Sequence, residues 1–232
     1  MSSQQNRLLK DVVDIMKHPL TDNGIFYVHD ENNMRKGYAL IIGPVDTPYQ
    51  HGFYFFEFDY PEDYPYSPPK VTYHTNDGVT RFNPNLYRNG KVCVSTLNTW
   101  RGEQWTSCQS ISSILMALVT LLNDNPLTNE PGFNNNHPAC KHYRDIIEFM
   151  NYRTAMCDIL NKKHLPDMFH GFYPIIKKYI IANKEIICDN LKKLKASPVN
   201  NTKIRVSAYN MITVVNYDNI INDFDLLIKE LN

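Results

Sequence analysis

The chain has 232 residues, enough to bury a full core in one large domain or in one domain with an elaborated extension. Its 24 Lys and Arg balance 24 Asp and Glu, so no basic surplus marks it for nucleic acid or an anionic membrane face, and no apolar run reaches membrane-spanning length. Five cysteines at wide spacing, without a Cys-x-x-Cys pair, fit neither a disulfide framework nor a zinc site. The expectation is a soluble chain with reduced thiols in the cytoplasm or nucleus, since Met1 to Arg7 carry no signal-peptide core.

The first predicted element is an amphipathic helix, with Leu8, Val12, Ile15 and Met16 at helical spacing and a stop at His18-Pro19. Four strand-like runs follow over 25–28, 38–42, 53–58 and 71–74, rich in aromatic and β-branched residues and parted by turn formers such as Gly43-Pro44. Their short connections imply an antiparallel meander. A second helix is predicted from Thr106, where Ile111, Ile114, Leu115, Leu118, Val119 and Leu122 form an apolar stripe suited to packing on the sheet. Two prolines and a glycine in 123–133 break regular structure. Helical patterns return with Tyr143, Ile146, Ile147, Met150 and Cys157, then over 172–194 and 220–231, with a polar loop at 195–202.

Between the fourth strand and the second helix lies Arg81-Phe82-Asn83-Pro84-Asn85, and eight residues after Asn85 comes Cys93. Pro84, Asn85, Asn89 and Gly90 are turn formers, so this segment is a loop that should present the thiol exposed enough to react. The amide of Asn85 can reach back toward the sulfur, and a preorganised amide donor is the group that stabilises an acyl-transfer oxyanion. No histidine is close in sequence to serve as base; His74 is expected to be a satisfied structural residue on a strand. Cys108, Cys140, Cys157 and Cys188 fall in helical patterns and are expected to be buried.

Upstream stands Tyr60-Pro61-x-x-Tyr64-Pro65-x-x-Pro68-Pro69 and downstream Trp105. Taken with Asn83-Pro84-Asn85 and Cys93, the order resembles the ubiquitin-conjugating enzymes. The departure is Asn83, where that family carries a histidine of structural role. The resemblance implies an α+β ubiquitin-conjugating (UBC) fold: a four-stranded antiparallel meander, flanking helices and a helical C-terminal extension. It divides the chain into a catalytic domain, 1–160, and an extension packed on it, 161–232. The added Thr99-Trp100-Arg101-Gly102 and the long C-terminus are similar to the extended branch served by a non-standard activating enzyme.

The resemblance also implies chemistry. Cys93 would accept ubiquitin or a ubiquitin-like modifier as a thioester and pass it to a lysine amine, with Asn85 as oxyanion donor or loop brace. Glu130 falls in the loop where relatives carry an acidic residue for the incoming lysine. ATP is used by the activating enzyme, and no cofactor or metal is expected on this chain. Partners would be the modifier, the activating enzyme and a ligase, with no nucleic acid and no membrane. Arg7, Lys10 and Lys17 would face the activating enzyme, and Tyr66 with Thr106-Ser107 would occupy the ligase-docking loops. Tyr64 and Trp105 would brace the loop by packing. Two rivals stand beside this: a catalytically silent scaffold of the same fold, and a cysteine protease, which needs a base that the neighbourhood of Cys93 lacks.

Overall fold

The computed structural model describes residues 3–163 and 165–231. Helix α1 (Ser3–Lys17) turns Leu8, Val12 and Ile15 inward. Strands β1 (Ile25–His29), β2 (Lys36–Ile42), β3 (Phe53–Asp59) and β4 (Lys70–Tyr73) then form an antiparallel sheet in sequence order. The register places Leu40 opposite both Phe26 and Phe55. Helix α2 (Ile111–Leu121) buries Ile111, Ile114, Leu115 and Leu118, and α3 (Pro138–Met150) follows.

Helix α2 starts at Ile111, the first residue of its apolar stripe and five residues after the start expected at Thr106. Ser110 and Ser113 form a reciprocal capping box there. The preceding turn is held from outside: Arg7 donates to the carbonyls of Ser107 (2.6 Å) and Gln109 (2.7 Å). Cys108 therefore lies exposed in a turn rather than buried in a helix, and Cys188 is half-buried; Cys140 and Cys157 are buried as expected. His74 falls one residue beyond β4, its Nε2 3.2 Å from Glu57.

The sheet is apolar on both faces because both are covered. Tyr54, Phe56 and Phe58 of β3 meet Tyr49, Tyr73 and Tyr27 on one side. On the other, Phe55 packs against Phe169 (4.8 Å between centroids) and Phe172, and Phe53 against Tyr179. These last residues belong to a 3₁₀ turn, Asp167–Phe172, and to α4 (Tyr173–Lys195). Burying one such ring is worth roughly 1.5–3 kcal/mol, so the extension is held on the sheet by several large terms. A single core runs from Leu8 to Leu231.

Helix α3 continues into a π-helical stretch, Asn151–Asp158, which sets Asn151 fully inside the protein. Its amide accepts from the Tyr54 hydroxyl (2.6 Å) and donates to the Gln50 carbonyl (2.8 Å). A side chain on Gly52 would come within 1.9 Å of that amide oxygen, which is why glycine stands there. The extension also contains a hairpin that helical periodicity did not reveal, β5 (Lys203–Val206) with β6 (Met211–Val214). Each strand has only four residues, too few for alternation to declare itself. Helix α5 (Tyr217–Leu231) closes the chain, with Tyr217 against Phe149 and Asp223 paired with Arg153 at 2.7 Å.

His51 links the sheet to the extension. It is 2% exposed, and its Nδ1 lies 2.9 Å from the Tyr179 hydroxyl. Its Nε2 faces the Gln50 amide nitrogen at 3.2 Å and so accepts, which leaves the neutral ring with its proton on Nδ1. Burial holds the ring's pKa down at about 4, against roughly 6.5 in an unfolded chain. Between those values the unfolded chain binds a proton that the folded one refuses, so stability falls as pH drops through this window. His51 sits at φ +67°, a conformation asparagine tolerates. Thermal melts from pH 7 to pH 4 should show a shallower loss in His51→Asn than in the wild type; parallel curves would assign the loss to other groups.

Candidate active site

The thiol segment is built by two returns of the chain. After Pro84 the backbone turns at Tyr87–Gly90, where Gly90 N–H donates to the Tyr87 carbonyl (2.9 Å) and Tyr87 N–H to that of Lys91 (2.9 Å). Gly90 has φ +87°, and a Cβ there would meet the Thr72 methyl at 2.9 Å and the Tyr73 carbonyl at 3.0 Å, so only glycine fits. This return lays Lys91 beside Thr72 and Val92 beside Leu86. Cys93 thereby comes opposite Asn85, and two bonds stitch them together. Cys93 N–H donates to the Asn85 carbonyl (2.9 Å), and Asn85 Nδ2 donates to the Cys93 carbonyl (2.6 Å). The Asn85 side chain thus reaches the main chain of Cys93, and its Oδ1 is buried without a partner among the described residues.

Asn83 anchors this stitch. Its amide is fully buried; Oδ1 accepts from Asn85 N–H (2.9 Å), and Nδ2 donates to the Tyr49 hydroxyl (2.9 Å) and the Leu121 carbonyl (2.7 Å). Asn129 adds a donor to the same oxygen at 3.4 Å and also holds Leu121 at 3.1 Å. A neutral imidazole offers one donor, whereas an amide offers two. The asparagine here therefore performs a bracing role through groups of its own.

Thr99 pins the other side. Its hydroxyl accepts from Val94 N–H (2.9 Å) and stands 3.0 and 3.1 Å from the Val92 and Val94 carbonyls, to which it donates its one proton. The segment 99–104 is thus tied to the thiol loop at its first residue, with Arg101 to Gln104 exposed. Cys93 itself departs from expectation: it is 2% exposed, among buried Val92, Val94 and Leu97. The turns that were expected to present the thiol instead fold its backbone into the core.

Glu130 caps a 3₁₀ turn, Pro126–Asn129, and is half-buried. Its Oε2 accepts from the Tyr209 hydroxyl at 2.5 Å. Among the described residues no hydrogen bond joins it directly to Cys93 or Asn85. The connection runs through Arg81, which lies 5.0 Å from the Tyr209 ring and donates to the carbonyls of Asn83 (3.0 Å) and Pro84 (2.6 Å). Sequence reasoning missed Arg81, whose only signal was its position beside the triplet, and Tyr209, which had none.

Tyr64 and Trp105 pack as expected. The Tyr64 hydroxyl donates to Asp11 (2.6 Å), and Trp105 Nε1 donates to the Pro65 carbonyl (2.7 Å). Burial first, and then the Asp11 bond, push the Tyr64 hydroxyl's pKa up. Arg7 is spent inside the chain, on Asp11 and the Ser107 and Gln109 carbonyls, and so differs from the partner-facing role expected of it; Lys10, Lys17 and Tyr66 are exposed.

Residues 7–152 match the family described as Ubiquitin-conjugating enzyme. Proteins named Ubiquitin-conjugating enzyme E2 Z from Danio rerio and Homo sapiens are each 47% identical over 160 residues, covering 68% of this chain and 48% and 45% of the relative. The chain spans about half the length of these relatives. Probable ubiquitin-conjugating enzyme protein 17 of Caenorhabditis elegans is 39% identical over 200 residues, covering 81% of this chain and 27% of that protein. Among solved structures, human Ubiquitin-conjugating enzyme E2 G1 is similar over 52% of this chain and 94% of its own, at 28% identity and a TM-score of 0.45.

Thr99→Val keeps the shape of the side chain and removes every bond it makes to Val92 and Val94. Thr99 is exposed and these bonds are half-buried; a hydrogen bond of this kind contributes about 0.5–1.5 kcal/mol net, so denaturant melts of Thr99→Val should show a loss of that order. A variant as stable as wild type would mean that solvent or a shifted backbone satisfies those groups.

Proposed function

Since the chain belongs to the ubiquitin-conjugating enzyme family, we propose that Cys93 accepts ubiquitin or a ubiquitin-like modifier from a non-standard activating enzyme and passes it to a lysine amine. The observation that carries this is the reciprocal Asn85–Cys93 stitch, which sets an amide donor beside the only cysteine, among the described residues, held in such a loop. In the first step the Cys93 thiolate attacks the modifier's C-terminal thioester carbonyl, and the activating enzyme's thiolate leaves. In the second an amine attacks the Cys93 thioester, negative charge builds on the carbonyl oxygen, and collapse releases the Cys93 thiolate. Exchange between thiols of similar acidity needs little help from a base, which suits a thiol with no histidine close to it in sequence.

An amide nitrogen carries two hydrogens. One of those on Asn85 holds the Cys93 carbonyl, and the other is assigned to the oxyanion. Glu130 is the carboxylate assigned to orient or deprotonate the incoming amine. The activating enzyme consumes the ATP, and this chain takes no cofactor of its own. Its cysteines suit a reducing compartment, cytoplasmic or nuclear. The exposed Tyr66 and Thr106 are the surface assigned to a ligase. The burial of Cys93 favours one rival, the silent scaffold that binds pathway partners without chemistry.

Incubation with ATP, a panel of activating enzymes and several modifiers, followed by a non-reducing gel, separates the two. Transfer predicts an ATP-dependent band that reductant removes and Cys93→Ala abolishes, while Cys93→Ser forms a slower, reductant-resistant oxyester. A scaffold gives no band with any combination, and a band that persists in both variants moves the acceptor to another cysteine.

Asn85→Ala separates bracing from chemistry. Loss of one preorganised oxyanion donor costs on the order of a hundred- to a thousand-fold in rate. Single-turnover discharge of pre-charged protein to free lysine should fall by about that factor, well beyond the drop in charging. Equal losses in both steps, together with a lower melting temperature, would leave Asn85 a brace only.

A further inference from the structure

The turn of the β5–β6 hairpin reaches from the extension onto the segment that leads to Asn85, and Tyr209 makes the contact. Its backbone has φ +60° and ψ 13°, followed by Asn210 at φ +52°. A bulky aromatic holds the left-handed region only where its surroundings over-determine it. Here three of its groups are engaged. The hydroxyl donates to Glu130 at 2.5 Å, the carbonyl accepts from Arg88 Nη2 at 2.8 Å, and the ring lies 5.0 Å from Arg81 Cζ. Its ring also leans on Tyr143, 6.2 Å away, and the Tyr143 hydroxyl donates to the Arg81 carbonyl at 2.6 Å. Met211, two residues on, accepts the Arg81 N–H on its sulfur at 3.3 Å.

Arg81 is 9% exposed, with its Cζ 3.3 Å from the Tyr87 ring centroid and its guanidinium donating to the Asn83 and Pro84 carbonyls. A cation so desolvated beside aromatic faces is held firmly. The Tyr209 hydroxyl is kept protonated by burial and by the Glu130 carboxylate, so it remains a donor.

The geometry points to Tyr209 as a positioning residue for the second transfer. One side chain of the extension holds the Glu130 carboxylate by its hydroxyl and braces, through Arg81, the carbonyls of the segment that carries Asn85. This rests on the transfer chemistry proposed above, with Glu130 as the group that meets the amine. The extension then contributes to the active site itself, beyond any part it has in choosing partners.

Tyr209→Phe removes the hydroxyl alone, Tyr209→Ala removes the ring as well, and Glu130→Ala removes the carboxylate. Charging rate, single-turnover discharge to lysine and melting temperature are measured for each, and for the double variant that combines Tyr209→Phe with Glu130→Ala. Small displacements of a positioning group cost up to about a hundred-fold. Tyr209→Phe should slow discharge about ten-fold and slow charging far less, with Tyr209→Ala slower still. The double variant should discharge no more slowly than Glu130→Ala alone, because the hydroxyl acts through that carboxylate.

Wild-type discharge in Tyr209→Phe, losses that multiply in the double variant, or charging and discharge that fall together with stability would each overturn the assignment. If Tyr209→Ala does not fold, Tyr209→Phe, which keeps the ring on Arg81, still decides. A wild-type chain that no activating enzyme charges overturns the transfer chemistry and this assignment with it. Normal wild-type transfer with an unaffected Tyr209→Phe overturns this assignment alone.

Discussion

A single buried amide holds the thiol loop in place. Asn83 joins Asn85 N–H, the Tyr49 hydroxyl and the Leu121 carbonyl, so it ties the loop to the segment before β3 and to the end of α2. Among the described residues Asn85 N–H has no other acceptor, and a buried donor left unpaired is costly in a low-dielectric interior; the Tyr49 hydroxyl and the Leu121 carbonyl also bond to Phe82 and Asn129. The stitch between Asn85 and Cys93 is thus seated on a network whose members satisfy one another. Where the family carries a histidine, the second donor of an amide lets this chain hold two acceptors at once.

The extension owes its place to β3. An alternating strand has one face for the core and one for water, but Phe53, Tyr54, Phe55 and Phe56 are all buried. The outer pair would be an exposed aromatic patch without Phe169, Phe172 and Tyr179 above it. His51 joins the same contact as a neutral ring between Gln50 and Tyr179. The hairpin that brings Tyr209 to Glu130 follows α4 in the chain and packs through β5 on α3, so the extension touches both the sheet and the segment that leads to Asn85.

Electrostatically the neighbourhood is spare. Its charges, Arg81, Arg88, Lys91 and Glu130, are engaged in part with carbonyls, aromatic rings and hydroxyls. His74 is turned toward Glu57, and burial lowers its pKa while that carboxylate opposes the shift. For the thioester exchange proposed above, position and a hydrogen-bond donor matter more than proton transfer.

Much was legible in the residues alone. Helical spacing gave α1, α2 and the carboxy-terminal helices, and aromatic runs gave the meander, because the solvent-facing period of each element is written locally. The motif order from Tyr60 to Trp105 placed Cys93 and Asn85 in one loop, since turn formers announce a reversal wherever they cluster. The start of α2 was misjudged because Arg7, a hundred residues earlier in sequence than Ser107, holds the turn before it. The burial of Cys93 was misjudged because turn residues specify where a chain bends and not what packs around the bend. Tyr209 left no local sign and Arg81 only its place beside the triplet: their partnership joins positions 128 residues apart, by contacts that no local period or motif encodes and that form only where the β5–β6 hairpin folds against α3 and the segment before Asn85.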